Sequence, residues 1–402
     1  MSEVEPTPLD AAGADAVQAP PPEVRHAAEL RFLAAWDEGP RPAGWRLTPR
    51  AVVTFITGTA GQKLELAAPE KKGKGKAAKA ELPRSLEISE KFVGDRALVE
   101  RCVVTLAGSR GLMLVGEPGT AKSMLSELLT AAISGTSGLT VQGSAGTVED
   151  QLRYGWNYAL LIARGPCEEA LVPSPVLRAM RQGQLARIEE VTRCLPEVQD
   201  ALVSILSDRV LSVPEIPAET GARIEFARPG FNVIETANLR DKGVSEMSSA
   251  LKRRFNFETV PPIPDLQREI ALVRRQAEAA LAVVGRPLGV DEAVLEALVT
   301  AFRDLRSGRS VEGWAVEKPT TVMSTAEAVG VASALGLRHA FFRDDVDPLS
   351  LLPGYLLGVV MKDDPQDRGR LLAYWDGAVK RRAEGQGRLW KQLHELRRVL
   401  EA

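Results

Sequence analysis

The apolar run Gly111-Leu-Met-Leu-Val115, followed at once by Gly116-Glu-Pro-Gly-Thr-Ala-Lys-Ser123, constrains this chain more than any other stretch. It reads as a buried strand, a glycine-rich turn and the first turn of a helix, which is the arrangement a phosphate-binding loop needs. Gly116 and Gly119 let the backbone bend without Cβ clashes, so successive N–H groups can point into one anion-sized concavity. The positive end of the following helix dipole adds to the attraction. Within the loop Gly116, Glu117, Pro118, Gly119, Thr120, Ala121, Lys122 and Ser123, the lysine is placed to reach the β- and γ-phosphates of a nucleotide. The Ser123 hydroxyl is placed to take one coordination position on Mg²⁺. Ala121 stands where the pattern G-x-x-x-x-G-K-[ST] has its second glycine.

A second constellation is Gln184-Leu-Ala-Arg-Ile-Glu-Glu190, a short strand-like run ending in two carboxylates and followed by Pro196 and a helical segment. Beside a phosphate loop, such a strand delivers one acid to the magnesium shell and a second to polarise the attacking water. Glu189 and Glu190 fit those roles in that order. A third strand, Phe231-Asn-Val-Ile-Glu-Thr-Ala-Asn238, ends in an uncharged side chain, Asn238, that can orient water against the γ-phosphate. Then comes Ser248-Ser-Ala-Leu-Lys-Arg-Arg-Phe255, whose Arg253 or Arg254 can serve a neighbouring subunit as an arginine finger.

Taken in order, GEPGTAKS, IEE, ETAN and ALKRRF resemble the AAA+ ATPases, and within them the MoxR group, whose loop also has alanine before the lysine. The resemblance runs from about Phe92 to Met361. It implies that Phe92 and Val93, in Phe92-Val-Gly-Asp95, line the adenine pocket, and it selects Arg254, immediately before Phe255, as the finger. It also implies a ring, a hexamer, acting as a chaperone-like remodeller on a protein substrate or adaptor bearing a von Willebrand factor A domain. Gly143 to Arg164, with Tyr154-Gly-Trp-Asn-Tyr158, falls at the group's helix-2 insert, and Asp208 to Phe231 at its inserted hairpin. Two departures stand out. Glu189 is one methylene longer than the aspartate usual at the metal-side position. The lid segment Lys318-Pro-Thr-Thr-Val-Met-Ser-Thr-Ala-Glu327 has no arginine where many AAA+ lids carry one, and Ser324 with Glu327 forms a capping box instead.

Composition fits a cytoplasmic enzyme. The 402 residues allow two or three domains, and a net charge of −2 gives no global field for nucleic acid. Cys102, Cys167 and Cys194 have no metal spacing, and their odd number argues against a disulfide framework. His26, His339 and His394 are scattered. Leu351 to Met361, the best apolar run, is interrupted by Pro353 and too short to span a bilayer, so no membrane span is expected.

Punctuation divides the chain into a disordered acidic tail (1–22), a small helical N-terminal element (23–66) and a flexible basic linker (67–85). There follow an α/β nucleotide-binding domain (86–260) with a parallel sheet flanked by helices, an α-helical lid (261–362) and a helical C-terminal tail (363–402). In the tail, Leu389, Leu393, Leu396 and Leu400 make a stripe that needs a partner face on the lid or a neighbour. The reading is an ATP-hydrolysing motor with Glu190, Lys122, Asn238 and Arg254 catalytic and Ser123 and Glu189 on Mg²⁺. Two other readings share these residues: a nucleic-acid-dependent motor, for which the basic channel is lacking, and a nucleotide switch that binds ATP without hydrolysing it.

Overall fold

The computed structural model describes residues 19–67, 82–218, 221–238, 245–285, 290–342, 346–385 and 387–401. Most of the expected N-terminal tail and of the basic linker lies outside them. The chain divides into two compact units, one of residues up to 116 and 122–260, the other of residues 117–121 and from 261 on.

The first unit is built on a five-stranded parallel sheet. Its spatial order is Phe255–Thr259, Gly111–Gly116, Asn232–Asn238, Leu185–Glu189, Thr140–Gln142. The parallel sheet flanked by helices is the expected fold. Strands of such a sheet are covered on both faces, so they read as continuous apolar runs rather than alternating ones. Leu112, Met113 and Leu114 are wholly buried, and so are Val233 and Ile234. The core continues into Leu202 and Ile205 of the helix Pro196–Asp208 and Val176, Leu177 and Met180 of the helix Pro175–Gln182.

The N-terminal element packs on this unit rather than forming a core of its own. Thr48 caps the helix Pro49–Thr57, and that helix buries Val52, Phe55 and Ile56. The Arg46 amide donates to Ile133 O at 2.8 Å, and the Ser137 amide donates to Glu23 Oε1 at 2.9 Å. Lys91 is buried in an ion pair with Glu29 and donates to Phe55 O at 3.0 Å.

Two antiparallel hairpins extend the first unit where inserts were expected. Tyr154–Trp156 pairs with Leu171–Pro173 around the helix Tyr158–Arg164, and Val210–Ala218 pairs with Gly221–Phe226. The Tyr154 hydroxyl ties them together, donating to Glu215 Oε2 at 2.8 Å. The helix Tyr158–Arg164 buries no residue; Tyr158 and Ile162 are 68% and 87% exposed.

The second unit is helical. Leu266–Ala282, Glu292–Ser307 and Thr325–Phe341 come first, the last starting with the Ser324–Glu327 capping box. Pro348–Val360 is also a helix, although Pro353 lies within it. The lost backbone hydrogen bond is offset by burial of Leu349, Leu352, Leu356 and Val360 along one face. Residues 363–401 are not a separate tail. Leu371, Trp375, Leu393 and Leu400 share one hydrophobic core with Leu298, Phe302 and Leu335, so the leucine stripe finds its partner face on the lid helices. A buried polar cluster joins the two ends of this unit. Arg382, 1% exposed, meets Asp304 Oδ2 at 2.7 Å and Glu312 Oε2 at 2.6 Å. It also donates to the Tyr374 hydroxyl at 2.9 Å and stacks 4.6 Å from the Trp390 ring centroid. Among the described residues, no helix is long and apolar enough to cross a membrane.

Candidate functional site

The carboxyl ends of three adjacent strands, at Gly116, Asn238 and Glu189, lie side by side in the sheet. Register sets Asn238 beside Gly116 and Gln142 beside Glu189, with the strand Asn232–Asn238 between the other two. Ligands of open parallel sheets bind outside such strand ends, where neighbouring connections diverge.

The loop turns through left-handed backbone at Gly119 (φ 74°) and again at Ala121 (φ 67°). The second is costly for a residue with a Cβ, about 1–2 kcal/mol, which is why glycine is usual there. The Thr120 hydroxyl closes the turn by donating to Glu117 O at 2.9 Å. The helix Lys122–Ser134 begins directly after it. Lys122 is buried, with its Nζ donating to Gly116 O at 3.1 Å. The ammonium is therefore held at the loop.

Glu189 accepts four hydrogen bonds. Its Oε2 accepts from Ser123 Oγ and from Thr236 Oγ1, each at 2.7 Å. Its Oε1 accepts from Ser126 Oγ at 2.7 Å and from Arg187 Nη2 at 2.8 Å. Burial pushes its carboxyl up, but the three hydroxyls and Arg187 outweigh that and hold it below the usual carboxylate range. Glu190, next in the chain, has left-handed backbone (φ 55°, ψ 43°), a conformation that costs energy and recurs at functional sites. The surroundings fix it. Its amide donates to Thr236 Oγ1 at 3.0 Å, and a Cβ on Gly143 would stand 2.5 Å from its carbonyl oxygen. The twist turns the half-buried side chain away from that of Glu189, toward Arg193 Nε at 2.8 Å.

Asn238 ends its strand half-buried beside Gly116. Phe92 and Val93 are both buried, and the Phe92 amide donates to Ile56 O at 3.1 Å, so this segment is seated on the N-terminal helix. What it can offer a base is packing and backbone rather than an open ring face. Arg254 stands apart from the strand ends. Its guanidinium donates to Ser207 Oγ at 2.8 Å and to Ala250 O at 2.6 Å, while Arg253 is exposed.

The donors present suit a magnesium ion. The Ser123 hydroxyl and the Glu189 carboxylate are hard oxygen ligands 2.7 Å apart at the end of the loop. Magnesium takes one or two protein oxygens and completes its shell with phosphate and water. Among the described residues, no group of three or more His, Cys, Asp or Glu could hold a metal alone.

Ser126, Arg187, Thr236 and Arg193 did not emerge from motif reading. Strand alternation is the signal that could have found two of them: Arg187 lies two residues before Glu189 and Thr236 two before Asn238. Ser126 lies one helical turn after Ser123 and so on the same face.

Comparison with known proteins gives two family matches. Residues 111–255 match the AAA domain of the dynein-related subfamily, and residues 267–401 match the C-terminal domain of YehL-like AAA+ ATPases. The YehL protein of Escherichia coli K12 is 46% identical over 384 residues, covering 96% of this chain and 98% of its own. A protein of Staphylococcus haemolyticus is 27% identical over 243 residues, covering 60% of this chain and 85% of its own. Among solved structures, NtrX from Brucella abortus in complex with ATP is similar at a TM-score of 0.43 and 15% identity, covering 78% of this chain and 70% of that one.

Proposed function

This chain belongs to the YehL-like AAA+ ATPase family, and on that premise we propose that it hydrolyses ATP to ADP and phosphate by in-line attack of water. The observation that carries the reading is the Ser123–Glu189 hydrogen bond, which couples the phosphate loop to the acid-bearing strand, with Glu190 displaced beside it. Lys122 and the backbone N–H groups of the loop, Pro118 having none, hold the phosphates. Ser123 and Glu189 would hold Mg²⁺, which would supply positive charge against the phosphates. Glu190 leaves its pairing with Arg193 to orient and deprotonate the water, and Asn238 positions that water. Phe92 and Val93 pack against the adenine.

The finer reading is a cytoplasmic, MoxR-type remodelling motor. Arg254 reaches the γ-phosphate bound by a neighbouring subunit in a hexameric ring, having given up its contacts with Ser207 and Ala250. The exposed apolar side chains of Tyr158 and Ile162 support a protein partner over nucleic acid, and a von Willebrand factor A domain protein is the proposed adaptor.

Mixing subunits tests the shared site. Lys122→Ala and Arg254→Ala proteins are each expected to lack turnover, and their mixture to regain part of it, because some interfaces then pair an intact loop with an intact finger. Failure of the mixture to regain turnover, in rings shown to contain both variants, refutes an arginine supplied in trans.

A further inference from the structure

We propose that Arg187 is a positioning residue that orients Glu189 and lowers its hold on the divalent cation, an inference that rests on the magnesium site proposed above. Arg187 is buried, lies two residues before Glu189 on one strand, and therefore shares its face. Each of its three guanidinium nitrogens donates a hydrogen bond. Nη2 donates to Glu189 Oε1 at 2.8 Å, Nε to Ser126 Oγ at 3.1 Å and Nη1 to Ser137 O at 3.1 Å. The two carboxylate oxygens thereby acquire different tasks. Oε1 is drawn back by Arg187 and Ser126, while Oε2 stands against Ser123 Oγ and Thr236 Oγ1.

A glutamate has one more rotatable bond than an aspartate, and an untethered one could present either oxygen, or both, to a cation. Pinning Oε1 removes that freedom and leaves Oε2 beside the metal-ligating hydroxyl. The same contact has an electrostatic consequence. A guanidinium that shares the carboxylate's charge at hydrogen-bond distance weakens its attraction for a second cation. Arg187 thus gives a defined carboxylate geometry at the expense of divalent affinity, a trade suited to a site that must release its products.

Mn²⁺ binding to the ADP complex of the full chain, followed by electron paramagnetic resonance, tests this alongside turnover at saturating Mg²⁺. Arg187→Met is expected to tighten Mn²⁺ binding about tenfold while lowering turnover. Arg187→Lys keeps the charge and loses the fork, so it is expected to leave Mn²⁺ affinity near wild type and still lower turnover. Should the methionine variant fold poorly, Ser126→Ala, which removes a shared partner of Arg187 and Glu189, is expected to move Mn²⁺ affinity in the same direction by a smaller factor. Wild-type Mn²⁺ affinity in a folded Arg187→Met protein, or in Ser126→Ala where that variant stands in, overturns the inference alone. A wild-type protein that binds no Mn²⁺ with ADP overturns the proposed site and this inference with it.

Discussion

Replacing Glu235 with methionine should stabilise the protein, and increasingly so as the pH rises. Glu235 sits on the central strand Asn232–Asn238, wholly buried, and neither carboxyl oxygen has a hydrogen-bond partner. Alternation along the strand puts it on the opposite sheet face from Thr236, away from the site. Burial alone pushes its carboxyl well above the ordinary range. Methionine is similar in length and has no oxygen to desolvate, so removing an unsatisfied buried polar group gives about 1–3 kcal/mol even where the glutamate is protonated. The pH term adds to this. A raised folded-state pKa means the folded chain holds its proton more tightly than the unfolded chain. The stability from that proton is complete below the ordinary carboxyl value and is lost as pH rises toward the folded one. Each pH unit in that window costs the wild type about 1.4 kcal/mol, and the methionine variant has no such loss. Urea unfolding of both proteins at pH 5, 6 and 7 measures the gap directly. Parallel pH profiles, or a methionine variant less stable throughout, would refute the argument that this carboxyl is buried without compensation.

Two further outcomes concern stability. Ala121→Gly should raise it by about 0.5–1 kcal/mol, since relief of about 1–2 kcal/mol at φ 67° exceeds the entropy glycine adds to the unfolded chain; thermal unfolding beside Ala121→Val, expected to destabilise, checks the sign. Arg382→Met should cost about 3–5 kcal/mol, because it leaves the buried Asp304 carboxylate without its cation, and the double variant with Asp304→Leu should recover part of that loss in denaturant unfolding.

The loop, the paired acids and the strand ending at Asn238 were legible because each is a local signal, namely strand, turn and residue type within a few positions. The parallel sheet followed from alternating strand and helix patterns. What motif reading missed is set by contacts distant in sequence. Thr236 supports both Glu189 and the amide of Glu190 from another strand, and no spacing in the chain announces that pairing. Arg187 belongs to no motif, yet its guanidinium is buried against Glu189. The packing of the C-terminal helices on the lid was hidden for a related reason. Arg382 and Leu393 belong to the same packed unit as Asp304 and Phe302, some seventy to ninety residues earlier, and only the folded core reveals it. Pro353 interrupts the apolar run Leu351 to Met361 in the sequence yet lies inside a helix, because burial of the helix's apolar face outweighs a local breaker.

The most direct test of the central claim is ATP turnover by the wild type and by Glu190→Gln, with ATP binding measured on both. The account predicts Mg²⁺-dependent hydrolysis by the wild type, lowered about 10²-fold or more in the variant while ATP affinity is retained. Undiminished hydrolysis in Glu190→Gln, or ATP binding lost along with turnover, would contradict the role given to the carboxylate beside the phosphate loop.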